Sequence, residues 1–430
     1  MTGKFKREAF NVARELNLSG WRFILGALLR SGHHQQGGIP EVRNLERVSN
    51  LLSHFPSSPF LRKQISKGLR YATIVNSASA EIETSGICLR YTAVIKPYVS
   101  PSEKGVLLVS FENQLRSILD AGLGLAILER YHIVFIPSWT GLYSPELFRL
   151  ASFARTEPVF VMPVHSHERA LVKNLGDNCH PLPFNAASWV NASFFEGAPL
   201  ERDIDCLMVA NFAGFKRHWL LFKALSGLPK NITATCVGVP LGSRTADSIL
   251  EEAREYGVED RVAIVEDPSQ EELRRYFRRA KMFCAMSFRE GSFISVAESL
   301  MAGTPVLMFR NAHIGTKSLI NQQTGALVSS VSDLREKITE FMSFTEHETV
   351  RRTSVDTISA QANSRKLNGM LEEWSASSGR KWSQNLEPFY SQRLDFHYFD
   401  ESAHERLRAD YEYLSKIGCE LPHFNEMYTQ

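Results

Sequence analysis

Residues 282–310, Met-Phe-Cys-Ala-Met-Ser-Phe-Arg-Glu-Gly-Ser-Phe-Ile-Ser-Val-Ala-Glu-Ser-Leu-Met-Ala-Gly-Thr-Pro-Val-Leu-Met-Phe-Arg, carry the pattern from which the fold is read. Met282 to Met286 is an unbroken apolar run, the composition of a strand buried on both faces of a parallel sheet. A polar turn, 287–292, follows and holds one carboxylate, Glu290. A helix then starts near Phe293 and carries a second carboxylate, Glu298. Gly303-Thr304-Pro305 stops that helix, because Gly suits the left-handed position past a helix end and Pro cannot continue one. Val306 to Phe309 is the next strand. The result is a strand–loop–helix–strand unit with two acids eight positions apart.

The same alternation extends in both directions. Upstream, strands at 205–209, 232–237 and 261–265 alternate with helices at 219–225, 247–256 and 269–279. The last helix is opened by Ser269 with Glu272 three positions on, a capping box. Downstream, Leu327-Val328 closes the sheet and 332–341 is helical. An earlier set runs through a weak strand at 87–95, a buried strand at 105–111, a helix at 112–128, a strand at 132–137, a helix at 147–153, a strand at 158–162 and a helix at 167–175. Short apolar runs between helical windows are βαβ units and need a parallel sheet. Two such sets in 430 residues predict two α/β domains, each long enough to bury its own core. The expected bounds are an N-terminal domain 1–190, helical up to about residue 75 and α/β from about 88; a second α/β domain 191–345; and a helical, aromatic-rich segment 346–430 leaning back over both. The stretch 181–195, with Pro, Asn and Ser, suits the linker. Sheets of this kind bind ligands beyond their strand carboxyl ends, so the site is expected in a cleft between the two domains.

Lys216 and Arg217 stand at a helix start after the first strand of the second domain, with Asn211 in the loop before them. Helix amides plus two cations suit a phosphate or diphosphate. Glu290 stands before another helix start, where the N–H groups of Gly291, Ser292 and Phe293 point to the same side. Carboxylates accept from vicinal hydroxyls, so Glu290 and Glu298 together suit two polyols, a hexose and a ribose. Gly291 leaves room for close backbone approach. Each feature also has a plainer reading: the acids as solvated helix-start residues, Lys216-Arg217 as a surface pair, Ser292 as an N-cap. His33-His34 lies in a Gly/Gln-rich loop without the i, i+3 or i, i+4 partners of a helical metal site, so no metal is expected there.

Glu290-x7-Glu298, followed by Ser-Leu-Met-Ala-Gly-Thr-Pro-Val, resembles retaining glycosyltransferases of the GT-B fold, specifically family 4. The likeness covers about residues 203–345 and is weaker at 105–185. It implies two Rossmann-like domains with parallel sheets facing across a cleft, plus helical N- and C-terminal segments. By that resemblance Glu290 holds hydroxyls of the transferred sugar, Glu298 the ribose, and Lys216 with Arg217 the diphosphate. The nucleobase meets backbone near Val265–Pro268, including Asp267, and Tyr276 helps to close that wall. His165, at the end of the 158–162 strand, faces the donor sugar, with His167 as the weaker candidate. The implied catalytic residues are Glu290, Lys216 and His165. The reaction passes a sugar from a nucleotide-diphosphate sugar to a glycan, lipid or other acceptor with retention, without a protein nucleophile, metal or cofactor. Two departures stand out. Asn211 occupies the position of an Arg five residues before the Lys, and Val109-Ser110-Phe111-Glu112-Asn113 takes the place of a Gly-rich loop. They motivate the alternative of a catalytically weak glycan- or nucleotide-binding protein on the same fold. An epimerase or a phosphorylase on this fold is a third reading, although no lysine context here points to pyridoxal phosphate.

Composition is that of a globular protein, with 43% hydrophobic and 22% charged residues and a net charge of +2. The charge is uneven: residues 1–100 hold fourteen Lys/Arg and six Asp/Glu, hence +8, leaving −6 for the rest. A basic N-terminal third fits either a solvated basic face or peripheral contact with an anionic membrane. Lys4, Lys6, Arg7, Arg14, Arg22 and Arg30 around apolar residues allow an interfacial helix at 5–29, with a core-packed helix as the alternative. The apolar stretch 21–29 is too short to span a bilayer. Six cysteines without a C-x-x-C pair fit a reducing compartment. The expected location is therefore cytoplasmic, on the inner face of the membrane if peripheral, with a nucleotide-sugar donor and a glycan or glycolipid acceptor as partners and no nucleic acid.

Overall fold

The structure, a computed structural model, describes residues 86–139, 145–154, 157–173 and 176–421. The helices expected before residue 75, the His33-His34 pair and the segment 5–29 lie outside the described residues. The chain divides into two compact units: Met1–Ala186 with Ser364–Gln430, and Ala187–Asn363. The expected bounds were at 190/191 and 345/346. Among the described residues no helix is long and apolar enough to cross a membrane.

In the first unit, β1 is Ile87–Cys88, β2 Thr92–Lys96, β3 Gly105–Ser110, β4 Tyr131–Ile136, β5 Val159–Val161 and β6 Cys179–Pro181. The sheet runs β2-β3-β4-β5-β6, with β2 antiparallel to β3 and the others parallel. β3 and β4 are buried along their whole length, which is why both read as continuous apolar runs. The connections hold α1 (Glu112–Asp120), α2 (Gly124–Arg130), α3 (Pro145–Ala154) and a short α4 (Arg169–Val172). The single helix expected over 112–128 is thus two. Gly122, at φ 69, takes the left-handed conformation that ends α1. Pro181, where the expected linker begins, is instead the last residue of β6, which pairs with the β5 edge.

The second unit holds β7 (Ile204–Val209), β8 (Ala234–Gly238), β9 (Val262–Glu266), β10 (Ala280–Ala285), β11 (Val306–Phe309) and β12 (Gly325–Val328). All neighbours are parallel and the order is β12-β11-β10-β7-β8-β9. Counted within the unit this is the doubly wound 3-2-1-4-5-6 arrangement, whose direction reverses between β7 and β10. The crossovers hold α5 (His218–Leu225), α6 (Ala246–Glu255), α7 (Gln270–Arg279) and α8 (Ile294–Met301); α9 (Val331–Phe341) and α10 (His347–Ile358) follow. Ser269 caps α7 in the expected capping box with Glu272.

The chain then enters α11 (Ala360–Ser377) and the rest of the first unit. The tail is not simply helical. β13 (Phe389–Gln392) and β14 (Asp395–Tyr398) make a hairpin, α12 (Ala403–Arg406) and α13 (Arg408–Lys416) follow, and β15 (Cys419–Glu420) pairs with β1. The hairpin turn is Arg393-Leu394, both at positive φ (49° and 74°). That is the type I′ geometry that matches strand twist, built without the Asn or Gly that announces it in a sequence.

Candidate active site

Parallel strands that diverge at a reversal of sheet order leave a crevice beyond their carboxyl ends. In the second unit that crevice lies between β7 and β10, and each strand delivers one charged residue to it. After β7 the chain is held by an Asx turn, in which Ala213 N donates to Asn211 Oδ1 at 3.3 Å. A single 3₁₀ turn, Gly214–Lys216, then places Lys216. After β10 the loop reaches Glu290. Lys216 Nζ stands 2.5 Å from Glu290 Oε1. The ammonium also lies over two rings, 4.7 Å from that of Phe293 and 5.2 Å from that of Phe215. Ser287 Oγ donates to the same Oε1 at 2.8 Å. Lys216 and Glu290, 74 residues apart in sequence, are therefore joined.

Arg217, expected as a second cation beside Lys216, is packed against its own unit. It is 2% exposed, its Nε donates to Met286 O at 2.7 Å, and its guanidinium lies 5.6 Å from the Phe288 ring and 5.4 Å from the Phe309 ring. The left-handed backbone at 217 (φ 61, ψ 45) sends its side chain a different way from that of Lys216. Arg217 thus ties the start of α5 to the end of β10, a packing and anchoring role.

The loop after β10 is stitched to the segment after β11. His313 N donates to Phe288 O at 2.7 Å, Glu290 N to His313 O at 3.0 Å and Gly315 N to Gly291 O at 2.8 Å. Ser292 is buried, its Oγ has no hydrogen-bond partner, and it does not cap α8. The N-cap is Phe293, left-handed at φ 49 and without a side-chain cap, so the first-turn amides of α8 depend on another acceptor. Gly291 is half-buried before it. Glu298 lies in α8, half-buried, and burial pushes its carboxyl up to about 7. At the carboxyl end of β9, Asp267 is exposed and left-handed (φ 44), and its N–H donates to Gly238 O. Asn211, Lys216, Glu290, Gly291, Ser292, Phe293, Glu298 and Asp267 thus all follow strand carboxyl ends of one sheet. Three non-glycine residues in strained backbone, Arg217, Asp267 and Phe293, mark the same edge. Ser287 and His313 were not singled out in the sequence. His313 carries no signal, because its place depends on the β11 pairing.

His165 belongs to the first unit, at the end of β5. It is half-buried, and its N–H donates to Glu168 Oε2 at 3.1 Å. In the same unit the turn without a Gly pair adopts glycine-type backbone nonetheless. Phe111, N-cap of α1, sits at φ 70, ψ 147, braced edge-on by Tyr91 with ring centroids 5.1 Å apart. Glu112 Oε1 accepts from Ser138 N at 3.0 Å and so ties the ends of β3 and β4.

Residues 191–354 match the family model described as glycosyl transferases group 1. No curated protein sequence matches the chain. Among solved structures, the chain is similar to sucrose-phosphate synthase from Thermosynechococcus elongatus, at 16% identity and TM-score 0.51 over 63% of this chain and 73% of the other. It is also similar to HepE from Anabaena in complex with UDP, at 14% identity and TM-score 0.50 over 63% of this chain and 78% of the other. The fold is GT-B. The matched stretch lies within the unit that holds Lys216 and Glu290, and the expected fold class stands.

Proposed function

We propose that the protein is a retaining glycosyltransferase of the family 4 type, which transfers a sugar from a nucleotide-diphosphate sugar to a glycan or glycolipid acceptor. The observation that carries this reading is the Lys216–Glu290 pair at the reversal point of a 3-2-1-4-5-6 sheet. A cation and a carboxylate in one crevice match the two ends of a nucleotide-sugar, charged diphosphate and hydroxylated sugar. In this reading Lys216 and the α8 amides hold the diphosphate, Glu290 accepts from a sugar hydroxyl, and Glu298 accepts from the ribose. The backbone at 265–268 faces the base. As the bond from the anomeric carbon to the diphosphate breaks, negative charge grows on the leaving oxygen. Lys216 and the amides stabilise it without reorganising. A protein cation in this role makes a metal unnecessary, and the new bond forms on the face the leaving group vacates. His165 is the first unit's candidate for contact with the donor sugar. UDP-sugars are the first donors to test, given the UDP held by HepE.

The test is a screen of nucleotide-sugars with released nucleoside diphosphate as readout. Glu290→Gln is expected to lower turnover by about 100-fold or more, because it removes the charge that meets the developing oxocarbenium-like sugar. Undiminished turnover overturns the role of Glu290. One observation favours a second reading. Asn211, where the family resemblance implies Arg, spends its side chain on the Ala213 turn, so the phosphate side has one cation fewer. A catalytically weak binding protein is the outcome if calorimetry finds nucleotide binding and the screen finds no turnover with any acceptor.

A further inference from the structure

We propose that Ser287 is the positioning residue for Glu290, fixing which carboxylate oxygen is offered to the sugar; this rests on the donor-site reading above. Ser287 lies two residues beyond β10 and is fully buried. Its neighbour Met286 is held at its carbonyl by Arg217 Nε, and the 288–291 loop is held from the other side by the His313 and Gly315 backbone bonds. The backbone around Glu290 is therefore fixed at both ends, and what remains free is its side-chain torsions.

Two donors meet one oxygen. Ser287 Oγ at 2.8 Å and Lys216 Nζ at 2.5 Å both reach Glu290 Oε1. A carboxylate oxygen has two in-plane lone pairs, so Oε1 is saturated and Oε2 is the acceptor presented to a ligand. The two donors differ in permanence. Lys216 is the group a diphosphate attracts, and as its ammonium turns to the phosphates its hold on Glu290 weakens. The Ser287 hydroxyl, neutral and anchored at the strand end, has no such competitor. It is the bond that keeps Oε2 aimed while the cation changes partners. Without it the Glu290 carboxylate follows the ammonium or rotates.

The experiment uses the full chain with Ser287→Ala and Ser287→Thr, UDP calorimetry, and initial rates with UDP-, GDP- and ADP-glucose as probes. Ser287→Ala is expected to lower kcat about tenfold, the worth of one hydrogen bond to a charged group, while UDP affinity stays within about twofold of wild type. Ser287→Thr keeps the Oγ and is expected to restore kcat to within about threefold. Wild-type kcat in Ser287→Ala overturns the proposal. So does an equal loss in Ser287→Thr, or a fall in UDP affinity in step with the rate, since either marks a merely structural residue. Wild type that turns over none of the probes overturns the donor reading and this inference with it, whereas active wild type with unimpaired Ser287→Ala overturns the role of Ser287 alone.

Discussion

Residue by residue, the candidate site is a set of groups each placed in a setting it would not choose alone. Glu298 is the clearest case. Burial holds its carboxyl neutral up to about pH 7, where the unfolded chain ionises near the ordinary 4.5. Between those values the folded state carries the extra proton, so stability falls as pH rises from 4.5 to 7 and stays lower above. Glu298→Gln is expected to stabilise the protein at pH 8 by on the order of 2 kcal/mol and to change it little at pH 4.5, as urea unfolding at the two values measures. In the proposed role the ionised form accepts from the ribose. Donor affinity is then expected to weaken as pH drops below about 7, and Glu298→Gln to flatten that slope in calorimetry. Glu290 and Lys216 drew attention in the sequence because each is a charged residue that follows an apolar strand and precedes a helix start, although acids at helix starts have a plainer reading as well. The burial of Arg217 was not legible, because charge alone does not reveal the left-handed backbone and the bond to Met286 O found there.

At the level of elements, α8 shows why sequence punctuation works. Gly303 follows it at φ 74, left-handed, and Gly303 N donates to Leu300 O. A Cβ there would lie 2.6 Å from His347 O, where α10 crosses. Gly303→Ala is therefore expected to cost about 2–4 kcal/mol, more than a left-handed cap alone, because backbone strain and a backbone clash add. Denaturant titration measures it, and a loss below about 1 kcal/mol would show that α10 yields. Arg202 locks the same corner, with Nη1 donating to Thr304 Oγ1 at 2.7 Å and Nη2 to Ala302 O at 3.0 Å. Strands such as β3 and β11 announced themselves because burial on two faces leaves a continuous apolar run, whereas the short edge strand β6 did not. The hairpin of β13 and β14 did not, since its turn uses Arg393 and Leu394 and only the finished pairing compensates their positive φ.

At the scale of the whole molecule, the chain leaves its first unit, builds the second and returns. The return is paid into buried polar contacts: Lys96 Nζ stands 3.0 Å from Glu103 Oε1, and Ser383 N and Oγ both donate to the Glu103 carboxylate. Burial opposes ionisation of Glu103, yet the bonds from Ser383 and Lys96 outweigh it and hold the carboxyl at about 2. Asp410 accepts from Tyr131 Oη at 2.7 Å and Tyr98 N at 3.0 Å, and Trp374 lies edge-on to His132 and Phe160. A chain ended at Asn363 is thus expected to leave the first unit unfolded while 187–363 stays folded and binds UDP. Limited proteolysis that yields a resistant fragment near 187–363 checks this, and a resistant first unit would refute it.

The order of apolar runs and the helix stops determined two α/β domains with parallel sheets and the sheet edge that carries the candidate site, because those signals are local: burial on both faces of a strand, a cap, a turn; GT-B was what the family resemblance implied. Tertiary structure alone decided that Lys216 meets Glu290, that Arg217 bonds the Met286 carbonyl, that Ser287 shares the oxygen with Lys216, and that residues 364–421 belong to the first unit. Each of these depends on which strands lie side by side and which way the backbone turns after them, and such long-range contacts leave no periodicity in the chain that makes them.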